Sequence, residues 1–147
     1  MARSRWLMVF LAAGLVACSE PFLTIPGGQL SGVETEHPEN WAFTDPISTI
    51  QVETAPEDPY SINIWAVALD GNLYLHAGRN RTTWVENLEA DPRTRVRVEG
   101  KLYELAATRV ETADEFARFA DAYEAKYDTR PRNENVEEAY VFRLTPR

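Results

Sequence analysis

The chain has 147 residues, 44% of them hydrophobic, and a formal net charge of −8. That length suits one domain of ordinary size, and the acidic balance excludes both a nucleic-acid footprint and electrostatic attachment to anionic lipid. Cys18 is the only cysteine, which excludes an intrachain disulfide.

Residues 1–17 have the order of a secretory signal. Arg3 and Arg5 form a short positive region, Trp6 to Val16 is uncharged and apolar, and small residues lead up to Leu15-Val16-Ala17-Cys18. The apolar run is too short to cross roughly 30 Å of hydrocarbon. Leu-Val-Ala-Cys resembles the lipobox of bacterial lipoproteins. That resemblance implies cleavage before Cys18, a diacylglyceryl group on its thiol and acylation of the new amino terminus. Several acyl chains make a durable anchor where one would not. Arg3-Ser4-Arg5 is not a twin-arginine pair, so the expected route is the general secretory one. Ser19 resembles the sorting pattern for the outer membrane. The expected location is therefore the cell envelope, lipid-anchored and facing the periplasm where the cell has an outer membrane. Cleavage would leave 130 residues with 13 basic and 23 acidic side chains.

Residues 18–28, with Pro21, Pro26, Gly27 and Gly28, read as a lipidated tether, and residues 29–147 as the domain. Ile47 to Glu53 reads as a short half-buried strand with Ile50 and Val52 on one face. Ser61 to Leu69 is apolar on both faces, the pattern of one central, covered strand. Asp70-Gly71 is a hairpin turn, and Asn72 to Ala77 returns as its partner. A helix is expected from Thr82 or Thr83 to Ala90, with Thr83 and Glu86 as a capping box and Asp91-Pro92 as its stop. Arg93 to Glu99 alternates arginine with valine; Gly100 turns it and Lys101 to Val110 pairs back. Arg95 and Arg97 read as a solvated face. A second helix runs from Ala113 to Tyr127, capped by Thr112 and Glu115. Phe116, Phe119, Ala120, Tyr123 and Tyr127 share one face of it, a core stripe. The last strand is Tyr140 to Leu144. Together these elements predict an α+β protein: a small antiparallel split β-barrel with one short and one longer helix packed outside.

The stretch PYSINIWAVALDGNLYLHAGRNRTTWVENLEADPRTRVRV, residues 59–98, resembles the split barrel of the pyridoxamine 5′-phosphate oxidase-like superfamily, including the Asn87-Leu88-Glu89-Ala90-Asp91-Pro92 helix end. The resemblance covers roughly residues 28–147. It implies a homodimer binding FMN, the deazaflavin F420 or haem at the subunit interface. The residues themselves point to a phosphate site. Arg79 and Arg81 lie in the loop Gly78-Arg79-Asn80-Arg81-Thr82-Thr83 just before a helix, where unpaired N–H groups and partial positive charge favour anions. Arg79, Arg81 and the backbone at Thr82 and Thr83 are the expected phosphate holders, with Trp84 and Trp65 near the ring. Two departures bear on the cofactor: Ala77 stands where FMN-binding relatives often carry threonine, and Trp84 where they often carry lysine. Trp84 followed by Asn87-Leu88 looks closer to deazaflavin-using branches, though their longer glycine-rich loop is not found.

No nucleophile–base constellation stands out, so catalytic residues are not assigned. His37 has only local acidic neighbours, and no metal site is expected. His76 reads first as a surface strand residue and second as a ligand contact, and the polar stretch Pro131 to Asn135 first as a loop and second as a pocket cover. Two functions stay open: an FMN- or F420-dependent oxidoreductase, or a non-catalytic ligand-binding or degenerate scaffold lipoprotein that holds no cofactor.

Overall fold

The structure, a computed structural model, describes residues 20–78 and 81–147. The signal segment, Cys18 and Arg79 lie outside the described residues. Eight strands and two α-helices are present among those residues. In chain order they are β1 (Val33–Glu34), β2 (Ile50–Thr54), β3 (Tyr60–Ile64), β4 (Ala66–Leu69), β5 (Asn72–Ala77), α1 (Thr83–Ala90), β6 (Arg93–Val98), β7 (Lys101–Arg109), α2 (Ala113–Tyr127) and β8 (Tyr140–Pro146). The sheet runs β3-β2-β6-β7-β8-β5-β4, antiparallel throughout, with the short β1 added parallel to β7.

The path closes on itself through one residue. β3 and β4 stand at opposite ends of it, yet only Trp65 separates them. The chain from Tyr60 to Leu69 is one bent ribbon that joins the two ends, giving the small antiparallel split barrel expected from the sequence. The single central strand read at 61–69 is thereby corrected. The stretch is apolar on both faces because its second half faces two different cores. Ala66 enters the barrel interior, and Val67 lies in the layer under α2.

Hydrophobic burial fills both layers. Inside the barrel, Val52, Leu73, Leu75, Val96, Leu105 and Leu144 are almost fully buried. α1 covers the barrel with Trp84, Val85 and Leu88, which join the same cluster. Outside, α2 lays Phe116, Phe119 and Ala120 on Tyr74 and Val141. Two tight hairpins set the register: Asp70 and Gly71 have φ of 49° and 76°, Glu99 and Gly100 of 49° and 78°. Positive φ at both central residues is the turn whose twist matches that of paired strands.

Both helix starts differ from the sequence reading, α2 in part and α1 wholly. Thr112 caps α2, its Oγ1 accepting from the Glu115 N–H at 3.4 Å. The Glu115 carboxylate does not complete the box. It accepts from the Tyr74 hydroxyl at 2.9 Å and pairs with Arg143 at 2.5 Å, pinning α2 to β5 and β8. Burial, and then that carboxylate, push the Tyr74 phenol up to about 12. At α1 the expected box of Thr83 and Glu86 is absent. Thr82 is the N-cap and makes no side-chain cap bond, and Glu86 faces Arg81 at 3.6 Å instead.

Arg95 and Arg97 are not a solvated face, because the chain before the barrel covers them. Arg95 donates to the Leu30 carbonyl at 2.8 Å and lies 3.6 Å from the buried Glu53 carboxylate. Arg97 donates to Gln51 at 2.9 Å and pairs with Glu20 at 2.7 Å. Further along the same covering segment, Gly32 presses on the barrel so closely that an added Cβ would meet the Gly100 carbonyl oxygen at 2.6 Å.

The end of α2 holds the bend. The Ala66 N–H donates to the Tyr127 hydroxyl at 3.0 Å, and Lys126 Nζ donates to the carbonyls of Ala66 at 2.7 Å and Thr44 at 2.9 Å. Asp128 ends the helix in the left-handed conformation, φ 54°. Tyr127→Phe keeps the ring but leaves a buried donor without its partner. It should lower stability by about 1–3 kcal/mol, read as a shift of the urea midpoint at unchanged slope.

Candidate functional site

The bend opens a cleft of about 420 Å³ between the barrel and the end of α2, within the usual range for small-molecule sites. Trp65, His76, Gly78, Tyr123 and the 129–132 turn wall it, with Asn63 and Ile64 at one side. Trp65 stacks on Tyr127, ring centroids 4.4 Å apart at 10°, yet stays 45% exposed. A flat aromatic face is thus held rigid and open to a ligand.

His76 is half-buried rather than a surface residue, because α2 lies over its face of β5. Its ring sits 5.8 Å from Phe119 and 5.6 Å from Tyr123. Burial alone lowers its pKa to about 4, so the imidazole is neutral at neutral pH. Nε2 is buried and has no hydrogen-bond partner among the described residues. Nothing local in the strand pattern signals this; it follows from a helix that arrives some forty residues later in sequence.

The residues expected from the sequence divide into two groups. Trp65 lines the cleft, and Gly78 at the start of the basic loop lines it too. Thr82 and Thr83 are exposed at the start of α1, whose first-turn N–H groups gain no side-chain cap from Thr82. Arg81 turns along the helix. Its Nε and Nη2 donate to Glu89 at 2.8 and 2.5 Å, and Glu86 lies 3.6 Å away. Trp84 is 5% exposed and packs edge-on against Phe142 in the barrel interior at 5.7 Å. Arg79 is outside the described residues. Sequence reasoning did not bring His76, Tyr123 and the arginine turn together beside Trp65, although a ligand contact at His76 and a pocket cover at residues 131–135 were its second readings. In that turn Arg130 is matched by Asp121, Glu124 and Glu134. Arg132 is exposed, with no carboxylate in ion-pair range among the described residues.

A smaller cavity of about 160 Å³ lies between Glu53, Arg93, Arg95, Glu104 and Arg147. Its charges are matched within the chain, Arg147 pairing with Glu104, which leaves little for a ligand to compensate. No group of side chains suited to a metal occurs among the described residues, and no described helix is long and apolar enough to cross a membrane.

Residues 45–141 match the family described as "Uncharacterized protein conserved in bacteria (DUF2255)". The chain belongs to that family. Its fold is similar to that of several solved split barrels. A conserved hypothetical protein, Rv2991 from Mycobacterium tuberculosis, is 18% identical over 77% of this chain and 86% of its own, with a TM-score of 0.58. A putative pyridoxamine 5′-phosphate oxidase from Listeria innocua is 14% identical over 71% and 88%, TM-score 0.54. An FAD-binding protein from Mesorhizobium loti is 14% identical over 69% and 81%, TM-score 0.52. The same fold recurs in the heme storage protein HutZ from Vibrio cholerae, 17% identical, and in a domain-swapped dimer, 15% identical. At these identities the likeness is one of fold. No curated protein matches the chain.

His76 ties this cleft to pH. An unfolded histidine takes up a proton near 6.5, whereas His76 in the fold does so only near 4. Its neutral burial therefore contributes fully above about pH 6.5, and the contribution is lost as pH falls toward 4. His76→Phe should remove a stability loss on the order of 2 kcal/mol between those values. Urea denaturation of both proteins at pH 7, 5.5 and 4.5 checks it: parallel loss in the two would assign the acid sensitivity elsewhere.

Proposed function

We propose that this DUF2255 chain is a membrane-anchored envelope lipoprotein whose barrel binds a flavin-type cofactor in the Trp65–His76 cleft. The observation that carries the reading is the meeting of a rigid, exposed tryptophan face with the start of the basic loop, through Gly78, in one cleft. The residues present fit a planar aromatic ring: Trp65 offers a face, and the neutral His76 a ring edge that carries no charge to desolvate. The phosphate end fits on one condition. Arg81 must exchange Glu86 and Glu89 for phosphate oxygens beside the first N–H groups of α1. Exposed ion pairs are worth about 0–1 kcal/mol, and a forked phosphate contact exceeds that.

Support also comes from the fold neighbours, one of them FAD-binding and another a putative oxidase. The domain-swapped neighbour supports a homodimer. The anchor rests on Leu15-Val16-Ala17-Cys18. When bound, a flavin or deazaflavin would supply hydride chemistry, and the protein would supply binding and orientation. The alternative is a non-catalytic binding module. Arg81 engaged with its own helix, together with Ala77 and Trp84 in place of the usual phosphate contacts, favours that alternative.

Residues 19–147 titrated with FMN, F420 and haem, with absorbance and the quenching of tryptophan fluorescence as the signals, decide between them. One cofactor should bind, and Arg81→Ala should weaken it about tenfold. Glu89→Gln, which releases Arg81, should tighten it about two- to fivefold. A folded, dimeric domain that binds none of the three sinks the cofactor reading and leaves the binding module.

A further inference from the structure

Residues 20–28 form a built feature against the barrel. Phe22 and Ile25 exchange backbone hydrogen bonds of 3.0 and 2.8 Å, closing a tight turn over Leu23 and Thr24. The turn is fastened at three points. Asn63 Nδ2 donates to the carbonyls of Leu23 at 3.0 Å and Pro21 at 3.3 Å. Glu20 pairs with Arg97 at 2.7 Å, and Gly27 exchanges bonds of 2.9 and 2.8 Å with Ser61. Yet the side chains it presents are apolar and bare: Phe22 is 67% exposed, Leu23 72% and Ile25 63%. Leu23 has φ 52°, a conformation that glycine adopts at ease and a leucine only under strain. A large apolar side chain thus stands at the tip of a turn where local sterics favour none.

The sequence places this tip beside Cys18. Only Ser19 and Glu20 lie between Cys18 and Pro21, and three residues span at most roughly 10 Å. Apolar side chains bury about 5–10 Å into the headgroup and acyl boundary of a bilayer. An acylated Cys18 would therefore hold the tip within reach of that boundary. The one charge in the intervening segment, Glu20, is matched by Arg97, so the tip brings no unpaired carboxylate with it. Strand register puts a further exposed apolar side chain at the same end of the barrel. Asn63, Gln51, Arg97, Leu102 and Glu34 form one row across the sheet, and Val33, 70% exposed, is next to that row.

We propose that Phe22, Leu23 and Ile25 form a membrane-seating wedge that enters the lipid interface and fixes the orientation of the barrel. The proposal rests on the reading that Cys18 is acylated. It sets the Asn63 side of the cleft next to the bilayer, since Asn63 both holds the turn and lines the cleft.

Cys18 is the only natural cysteine, so an acylated chain accepts a thiol label at one introduced site alone. The full-length chain carrying Leu23→Cys is produced in a lipoprotein-processing bacterium, labelled with an environment-sensitive fluorophore and reconstituted in phosphatidylcholine vesicles. Ala113→Cys, exposed at the start of α2, is the reference. Intact mass reports acylation, and vesicle flotation reports anchoring. The label at 23 should shift to the blue and be quenched by shallow spin-labelled lipid at least threefold more than the label at 113. Adding Phe22→Ser and Ile25→Ser should return it to a water-like emission. An acylated, floating chain whose label at 23 stays water-like overturns the wedge and leaves the anchor standing. An unmodified Cys18 in a chain that does not float overturns the anchor and the wedge together. A blue shift that lipid quenchers do not touch and that grows with protein concentration assigns the patch to a second copy of the chain and overturns the proposal.

Discussion

One break in hydrogen bonding organises this molecule. A strand that changes sheet partners must release backbone groups at the point of change, and a buried N–H or C=O left unpaired costs more than an ordinary hydrogen bond gains. At Trp65 and Ala66 the cost is met by side chains: Tyr127 takes the Ala66 N–H and Lys126 takes its carbonyl. Both come from the last turn of α2. The helix that covers the outer face of the barrel is therefore also what allows the barrel to close. The bend turns Trp65 outward onto Tyr127, so closure and cleft have one origin.

Charge is distributed in a way that composition alone conceals. The loop before α1 stands out as positive in an acidic chain, and the natural inference is an anion site. Arg81 is instead answered by Glu86 and Glu89 one and two turns into the helix. Arg130 is answered by three carboxylates, and Arg95 and Arg97 by Glu53 and Glu20. With 23 acidic residues to 15 basic ones, most arginines have a carboxylate at hand, and any ligand phosphate would have to compete with an internal partner. These pairs differ in how readily they yield. Those on α1 and the 130 turn are exposed and weak. The one at Glu53 is buried, and removing a partner there would strand a charge.

The parts legible in the sequence are those fixed by neighbours close in the chain. Both hairpins announce themselves at Asp70-Gly71 and Gly100, because the demand for positive φ is local. α2 runs over the residues its spacing predicts, and its aromatic stripe is core at Phe116 and Phe119. What escapes is set by contacts between distant segments. Ser61–Leu69 looks like one covered strand because apolar residues on both faces carry no mark of a change of partner. Arg95 and Arg97 look solvated because the chain that covers them, at Leu30 and Glu20, lies far earlier in the sequence. His76 looks superficial because α2 is absent from its local pattern. Trp84 stands in a helix start that reads as a binding loop, and only the packing of α1 shows its indole inside the barrel.

Asn63 shows how these distant contacts constrain one another. Its backbone pairs with Gln51 in the ladder between β2 and β3, and its side chain spans to Pro21 and Leu23. The next residues, Ile64 and Trp65, lead into the bend and line the cleft. A movement of the turn at residues 22–25 must therefore either stretch the Asn63 hydrogen bonds or carry the end of β3 with it. The second course presses on Trp65, whose stacking on Tyr127 connects it to the hydroxyl that holds Ala66. The segment before the barrel and the cleft thus share one structural support, the four consecutive residues 63 to 66.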